Sequence, residues 1–114
     1  MSRSRILSAA LAVALVPATL AAHHGWSSYN EKQPLNVEGT IAESSYANPH
    51  GTAKLQTADK TWDVVLAPPS RMEARGLTQA KGTKARVLGY QHKQIATEMR
   101  AERITIDGKP VELR

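Results

Sequence analysis

From Val37 onward the chain alternates. Val37, Gly39 and Ile41 fall on one side, with Glu38, Thr40 and Ala42 on the other, the period-two pattern of a half-buried strand. Gly39 within that run predicts a bulge or a sharp bend of the kind small barrels use to curl. "ANPHG" interrupts the pattern, because Asn-Pro initiates turns and proline restricts the residue before it to extended backbone. The stretches "TAKLQT" and "TWDVVLA" flank Ala58-Asp59-Lys60 and predict a β-hairpin, with Trp62, Val64 and Leu66 on its inward face. "PPSRMEARGL" is the one helical stretch: Ser70 and Glu73 stand in capping-box spacing, and Gly76 suits the left-handed position beyond the last turn. After Gly82 the strand pattern resumes as "TKARVLGYQH" and "EMRAERITID", joined by a polar connection around Lys93 to Thr97. Asp107-Gly108 then turns into a short final strand, "PVEL".

Three strands, a short helix, two strands and a terminal piece imply an all-β fold with one short helix. The expected architecture is a small OB-like five- to six-stranded antiparallel barrel with the helix between strands 3 and 4. An open antiparallel sheet or a small sandwich would use the same elements.

The region before Val37 differs. Arg3 and Arg5 precede an apolar run from Ile6 to Val16, and Pro17 is followed by small residues at Ala18, Thr19, Ala21 and Ala22. This is the layout of a secretory signal, and the run falls short of the ~20 residues of a membrane span. The expected organisation is a signal peptide over residues 1–22, an arm over 23–36 and a barrel domain over 37–114. The mature chain would be soluble, periplasmic or secreted, and without a transmembrane segment.

Removing Arg3 and Arg5 from the 15 basic residues leaves 13 against 10 acidic ones, a modest balance. Lys81, Lys84 and Arg86 form the closest approach to a basic cluster and read as a solvated strand face. Cysteine is absent, which excludes disulfides, thiol catalysis and iron–sulfur clusters and leaves histidine as the main candidate for chemistry.

Of the four histidines, His23 and His24 would open the mature chain. Cleavage after Ala22 gives His23 a free amine beside its own imidazole. Cleavage after Ala21 puts a histidine third, where the amine, two amides and the imidazole make a square plane for Cu(II) or Ni(II). His50, on the proline-stiffened turn, is the expected partner; His92, at the end of a strand, ranks below the other three. The candidate metal ligands are therefore His23, His24 and His50, with copper first and zinc or nickel as alternatives. Met72 and Met99 read as core fillers, and Trp62 as core. Trp26 and Tyr29 would pack across the barrel mouth or over the histidines. No grouping of Ser, His and acid and no paired carboxylates point to an enzyme, and few aromatics are free for nucleic-acid stacking. A copper-dependent oxidase or oxygenase is the minor catalytic alternative. The expectation is a metal-binding, buffering or delivery protein. The competing one is a metal-free module that docks on an envelope protein or an anionic ligand through Lys81, Lys84 and Arg86.

At "AHHGWSSYN", "VEGTI", "NPHG", Trp62, "RGL" and "ITIDGKPVEL" the chain resembles an uncharacterised family of small exported bacterial proteins. That family has a His-His opening after the signal peptide, an Asn-Pro-His motif and a C-terminal Asp-Gly turn. Where the family commonly follows the histidines with serine and an aromatic residue, Gly25 and Trp26 stand here. The resemblance implies export and a small β-domain, and no activity comes with it.

Overall fold

A computed structural model describes residues 25–77 and 81–114. A short 3-10 turn, Trp26–Ser28, leads into β1 (Tyr29–Ser45), followed by β2 (Thr52–Gln56) and β3 (Thr61–Val65). Helix α1 (Pro69–Ala74) comes next, then β4 (Lys84–His92), β5 (Glu98–Ile106) and β6 (Lys109–Glu112). The sheet runs β3-β2-β1-β4-β5-β6, and β3 also pairs with β5, so five strands close on themselves. That circuit, with a helix between β3 and β4, is the OB arrangement. The closing pair departs from the antiparallel expectation: Asp63, Val64 and Val65 run parallel to Glu98, Met99 and Arg100.

Strand β1 serves both halves of the barrel, pairing with β4 over Tyr29 to Thr40 and with β2 over Thr40 to Ser45. It begins at Tyr29, so most of the expected arm is strand. The side chains of Glu31, Lys32, Gln33 and Pro34 are exposed, and the strand is tied to β4 on either side of a register shift, by Tyr29 opposite His92 and Pro34 opposite Tyr90, which side-chain periodicity does not register. The bend at Gly39 is real: a Cβ there would overlap the Gln56 carbonyl, so the strand crosses closely over the end of β2. One of two register slips in β1 falls just beyond it, between Ile41 and Glu43.

The hairpin forms as expected, with the Thr57 N–H donating to the Lys60 carbonyl at 2.9 Å. Trp62, Val64 and Leu66 are buried in a core that also holds Leu55, Met72, Val87, Met99 and Leu113. Both methionines are packing residues, fully enclosed. Helix α1 plugs the barrel by inserting Met72. Its N-terminus corrects the capping-box reading: Pro68 is the cap and Pro69 opens the helix, so Ser70 lies inside the first turn and makes no capping bond. Its C-terminus agrees with the sequence. Gly76 has φ +80°, its N–H bonds the Glu73 carbonyl, and the Leu77 N–H bonds that of Met72, the paired closure of a Schellman motif.

Candidate functional site: a cleft at one mouth of the barrel

His50 sits on the connection between β1 and β2, and the residue after it is fixed twice. Gly51 donates its N–H to the Ala67 carbonyl and accepts from the Leu66 N–H, both at 2.8 Å. A Cβ at Gly51 would meet the terminal methyl of Met72, so the plug closes directly over this turn. The peptide bond between Asn48 and Pro49 is cis.

A cleft of about 280 Å³ opens beside this turn, lined by Tyr29, His50, Thr52, His92 and Glu98 among others. These residues come from the start of β1, the β1–β2 connection, the start of β2, the end of β4 and the start of β5. The volume exceeds several waters at ~30 Å³ each. The Tyr29 hydroxyl donates to Glu98 Oε2 at 2.5 Å, and burial, reinforced by that bond, pushes the phenol well above its ordinary range. Tyr29 therefore remains a neutral donor that fixes one carboxylate oxygen.

His92 shares the cleft, and its ring meets Tyr29 edge to face at 5.1 Å between centroids. Its Nδ1 accepts the backbone N–H groups of Gln94 at 3.0 Å and Ile95 at 3.1 Å. A nitrogen that receives two N–H groups presents a lone pair, so the ring proton of neutral His92 lies on Nε2. His92 is consequently a hydrogen-bond donor at its far edge, which distinguishes it from His50.

Arg100 stands behind His50. Its Nη2 lies 3.4 Å from His50 Nε2, a long contact in which guanidinium is the donor and the imidazole nitrogen the acceptor. Arg100 is buried, and desolvation pulls its pKa below the usual guanidinium value. The Arg100 guanidinium also covers the Trp26 ring at 4.3 Å, and that of Arg114 covers it at 4.2 Å. Trp26 meets Tyr29 and Tyr90 edge-on at 6.5 and 6.0 Å. Arg114 is held in turn by Glu31 at 2.7 Å and Glu102 at 3.5 Å. Trp26 and Tyr29 thus pack at the barrel mouth, as the sequence suggests.

Of the sequence-derived ligand candidates, His50 lines the cleft, while His23 and His24 lie outside the described residues. Among the described residues no three His, Asp or Glu side chains stand together as a metal-binding group. Glu98 and Arg100 are the members that sequence reasoning passed over. Both belong to a strand whose alternation reads as barrel wall, and only the β3–β5 pairing carries them to His50. The basic trio is less coherent than its spacing suggests. Arg86 is paired with Glu38 at 2.7 Å, and the shallow cleft beside Lys84 and Arg86 is also lined by Glu38 and Asp107.

A model of a family of unknown function, DUF6152, matches residues 10–100. The chain belongs to this family. None of the curated proteins matches it. Among solved structures, the chain is similar to TiaS in a complex with an isoleucine tRNA and ATP, at 18% identity and a TM-score of 0.53 over 75% of this chain and 20% of that one. It is also similar to a ZRD-deleted mutant of TiaS in complex with agmatine, at 16% identity and a TM-score of 0.52, covering 68% of this chain and 22% of that one. The chain thus spans about a fifth of TiaS, and at these identities the likeness concerns the fold alone. No helix among the described residues is long and apolar enough to cross a membrane.

Proposed function

We propose that this family member is an exported, OB-like barrel that binds a transition-metal ion, Cu(II) foremost, through His23, His24 and His50. Its role is binding, buffering or delivery without turnover. The observation that carries this reading is the anchoring of Trp26. The indole is held by Arg100, and Arg100 reaches His50, so the chain passes the His50 cleft just after its histidine pair. His24 precedes Trp26 by two residues, a reach of at most about 7 Å at ~3.6 Å per residue. Together with His50, the two N-terminal imidazoles and a terminal amine would make a nitrogen-rich set suited to Cu(II). A metal at His50 Nε2 would take the lone pair that now accepts from Arg100, so binding there includes release of that long contact. The cleft also lies between the β1–β2 and β4–β5 connections, where OB barrels hold ligands; this support is by analogy of fold.

The test uses protein recovered after export, so that its amino terminus is the natural one. Mass spectrometry under native conditions reads the first residue and the bound metal together. One Cu(II) per chain is expected, and it is lost when His23, His24 and His50 are all replaced by alanine. Copper and zinc uptake no greater than that of the triple variant would sink the proposal.

A further inference from the structure

We infer that the outer face of β1, β2 and β3 is a docking trough for an extended peptide that carries two basic side chains four residues apart. The inference uses neither the N-terminal histidines nor a metal, so it stands or falls separately from the copper reading. A trough of about 320 Å³ crosses these three strands and reaches Glu98, the first residue of β5. It shares Thr52, Val65 and Glu98 with the mouth cleft, so the two form one continuous groove.

Register explains its shape. Ser45, Thr52 and Val65 stand opposite one another on neighbouring strands and give the trough a row of short side chains. Glu43, Lys54, Asp63 and Glu98 form the adjoining row, again partner to partner, across four strands. Lys54 is held by Asp63 at 2.7 Å and also feels the charge of Glu43. Three carboxylates against one ammonium leave the row two charges negative. Tyr29 donates to one oxygen of Glu98, and among the described residues neither Glu43 nor Glu98 is in an ion pair.

These features select the occupant. Nucleic acid, which OB barrels hold on this face, would bring phosphates against like charge. Its bases also need stacking surfaces, and none of the residues lining the trough is aromatic. A neutral sugar would leave the charge of the row unanswered. An extended peptide can lay its backbone along the Ser45 and Thr52 hydroxyls, which both donate and accept, and turn alternate side chains to the charged row. Strands lie ~4.8 Å apart, so Glu43 and Glu98 are separated by about 14 Å. Positions i and i+4 of an extended chain face the same way about 13 Å apart. A lysine or arginine at each therefore meets the carboxylates at the two ends of the row, with Glu98 at the entrance to the mouth cleft.

The experiment titrates the exported protein, in EDTA, with the capped peptide Thr-Lys-Thr-Ser-Thr-Lys-Thr and follows the amide resonances by NMR. Shifts are expected at Ser45, Thr52, Asp63 and Val65, with β6 unmoved, a readout that needs no variant. Glu43→Gln and Glu98→Gln should each weaken binding about two- to fivefold, the range for exposed charge pairs, and together by more. Added salt should release the peptide. Moving the two lysines next to each other should weaken binding, and equal affinity would overturn the spacing. No shifts at the trough would overturn the inference. So would equal binding of the peptide with glutamate at both lysine positions, equal binding of oligothymidine, or undiminished affinity in the double variant.

Discussion

The guanidinium carbon of Arg100 lies 4.3 Å from the centroid of the Trp26 indole, joining the first described turn of the chain to the seam that closes the barrel. Arg114 covers the same ring at 4.2 Å. Cation–π contacts contribute about 0.5–2 kcal/mol each, depending on how far the cation is removed from water. Replacing Trp26 with alanine should therefore lower stability by roughly 1–3 kcal/mol in urea denaturation. Phenylalanine at the same position should recover part of the loss, and an unchanged midpoint in both variants would show the stack to be idle.

Gly89 tests the wall behind the cleft. A Cβ there would run into the Arg100 carbonyl and the Ala101 Cα, both backbone atoms, so β5 must move away. The register slip between Leu88 and Gly89 lies at the same point. Gly89→Ala should cost about 1–3 kcal/mol, the range for overpacking a filled interior. Gly25→Ala has open space around the added carbon and should cost a few tenths of a kcal/mol at most. Thermal denaturation of the pair separates the two cases.

Met72 should matter to the turn as well as to the core. It is fully buried and presses on Gly51, the residue after His50. Met72→Ala is expected to lose about 2–5 kcal/mol. Amide exchange at Gly51 should accelerate more than exchange in the hairpin turn at Thr57 to Lys60, which Met72 does not support. Equal acceleration at both places would refute the link between plug and turn.

Alkaline pH should destabilise the fold through its tyrosines. The chain has three, and the phenol pKa is raised in every one. Burial is the main cause for Tyr29 and Tyr46, and the bond to Glu102 for Tyr90. Below about pH 10 the phenols are protonated in folded and unfolded chains alike, and their contribution is fully present. Above it the unfolded chain releases protons first, so stability falls as pH rises toward the folded values. Absorbance near 295 nm should show folded tyrosines ionising later than those of the denatured chain. Coincident titrations would contradict the shifts.

Much of the barrel was legible because its signals are local. Trp62, Val64 and Leu66 mark an inward face by alternation, Asp107-Gly108 turns where the dipeptide indicates, and Gly76 ends the helix by a conformation that suits glycine. Pro69 shows how a local signal misleads: the S-x-x-E spacing is present, but proline at the first helical position moves the start two residues earlier than a Ser70 cap requires. The first part of β1 stayed hidden because Glu31 to Pro34 face solvent. The cleft was half legible. His50 stood out by its turn, whereas Glu98, Arg100 and His92 acquire their roles from strands that meet across the barrel. The tautomer of His92 depends on two amides of the following loop, which no spacing encodes.

The parallel seam between β3 and β5 also has a temporal meaning. Asp63 meets Glu98 across thirty-five positions of chain, whereas β2 and β3 are joined by a tight turn. Pairings between distant segments carry the larger loop-closure entropy and are slow to form. The hairpin can thus be in place while Glu98 is still far from His50, and the cleft comes into being only when the ring shuts. In a chain without cysteines, a ligand spanning that cleft would act as a late-formed clasp, slowing the reopening of the seam more than it speeds its closure.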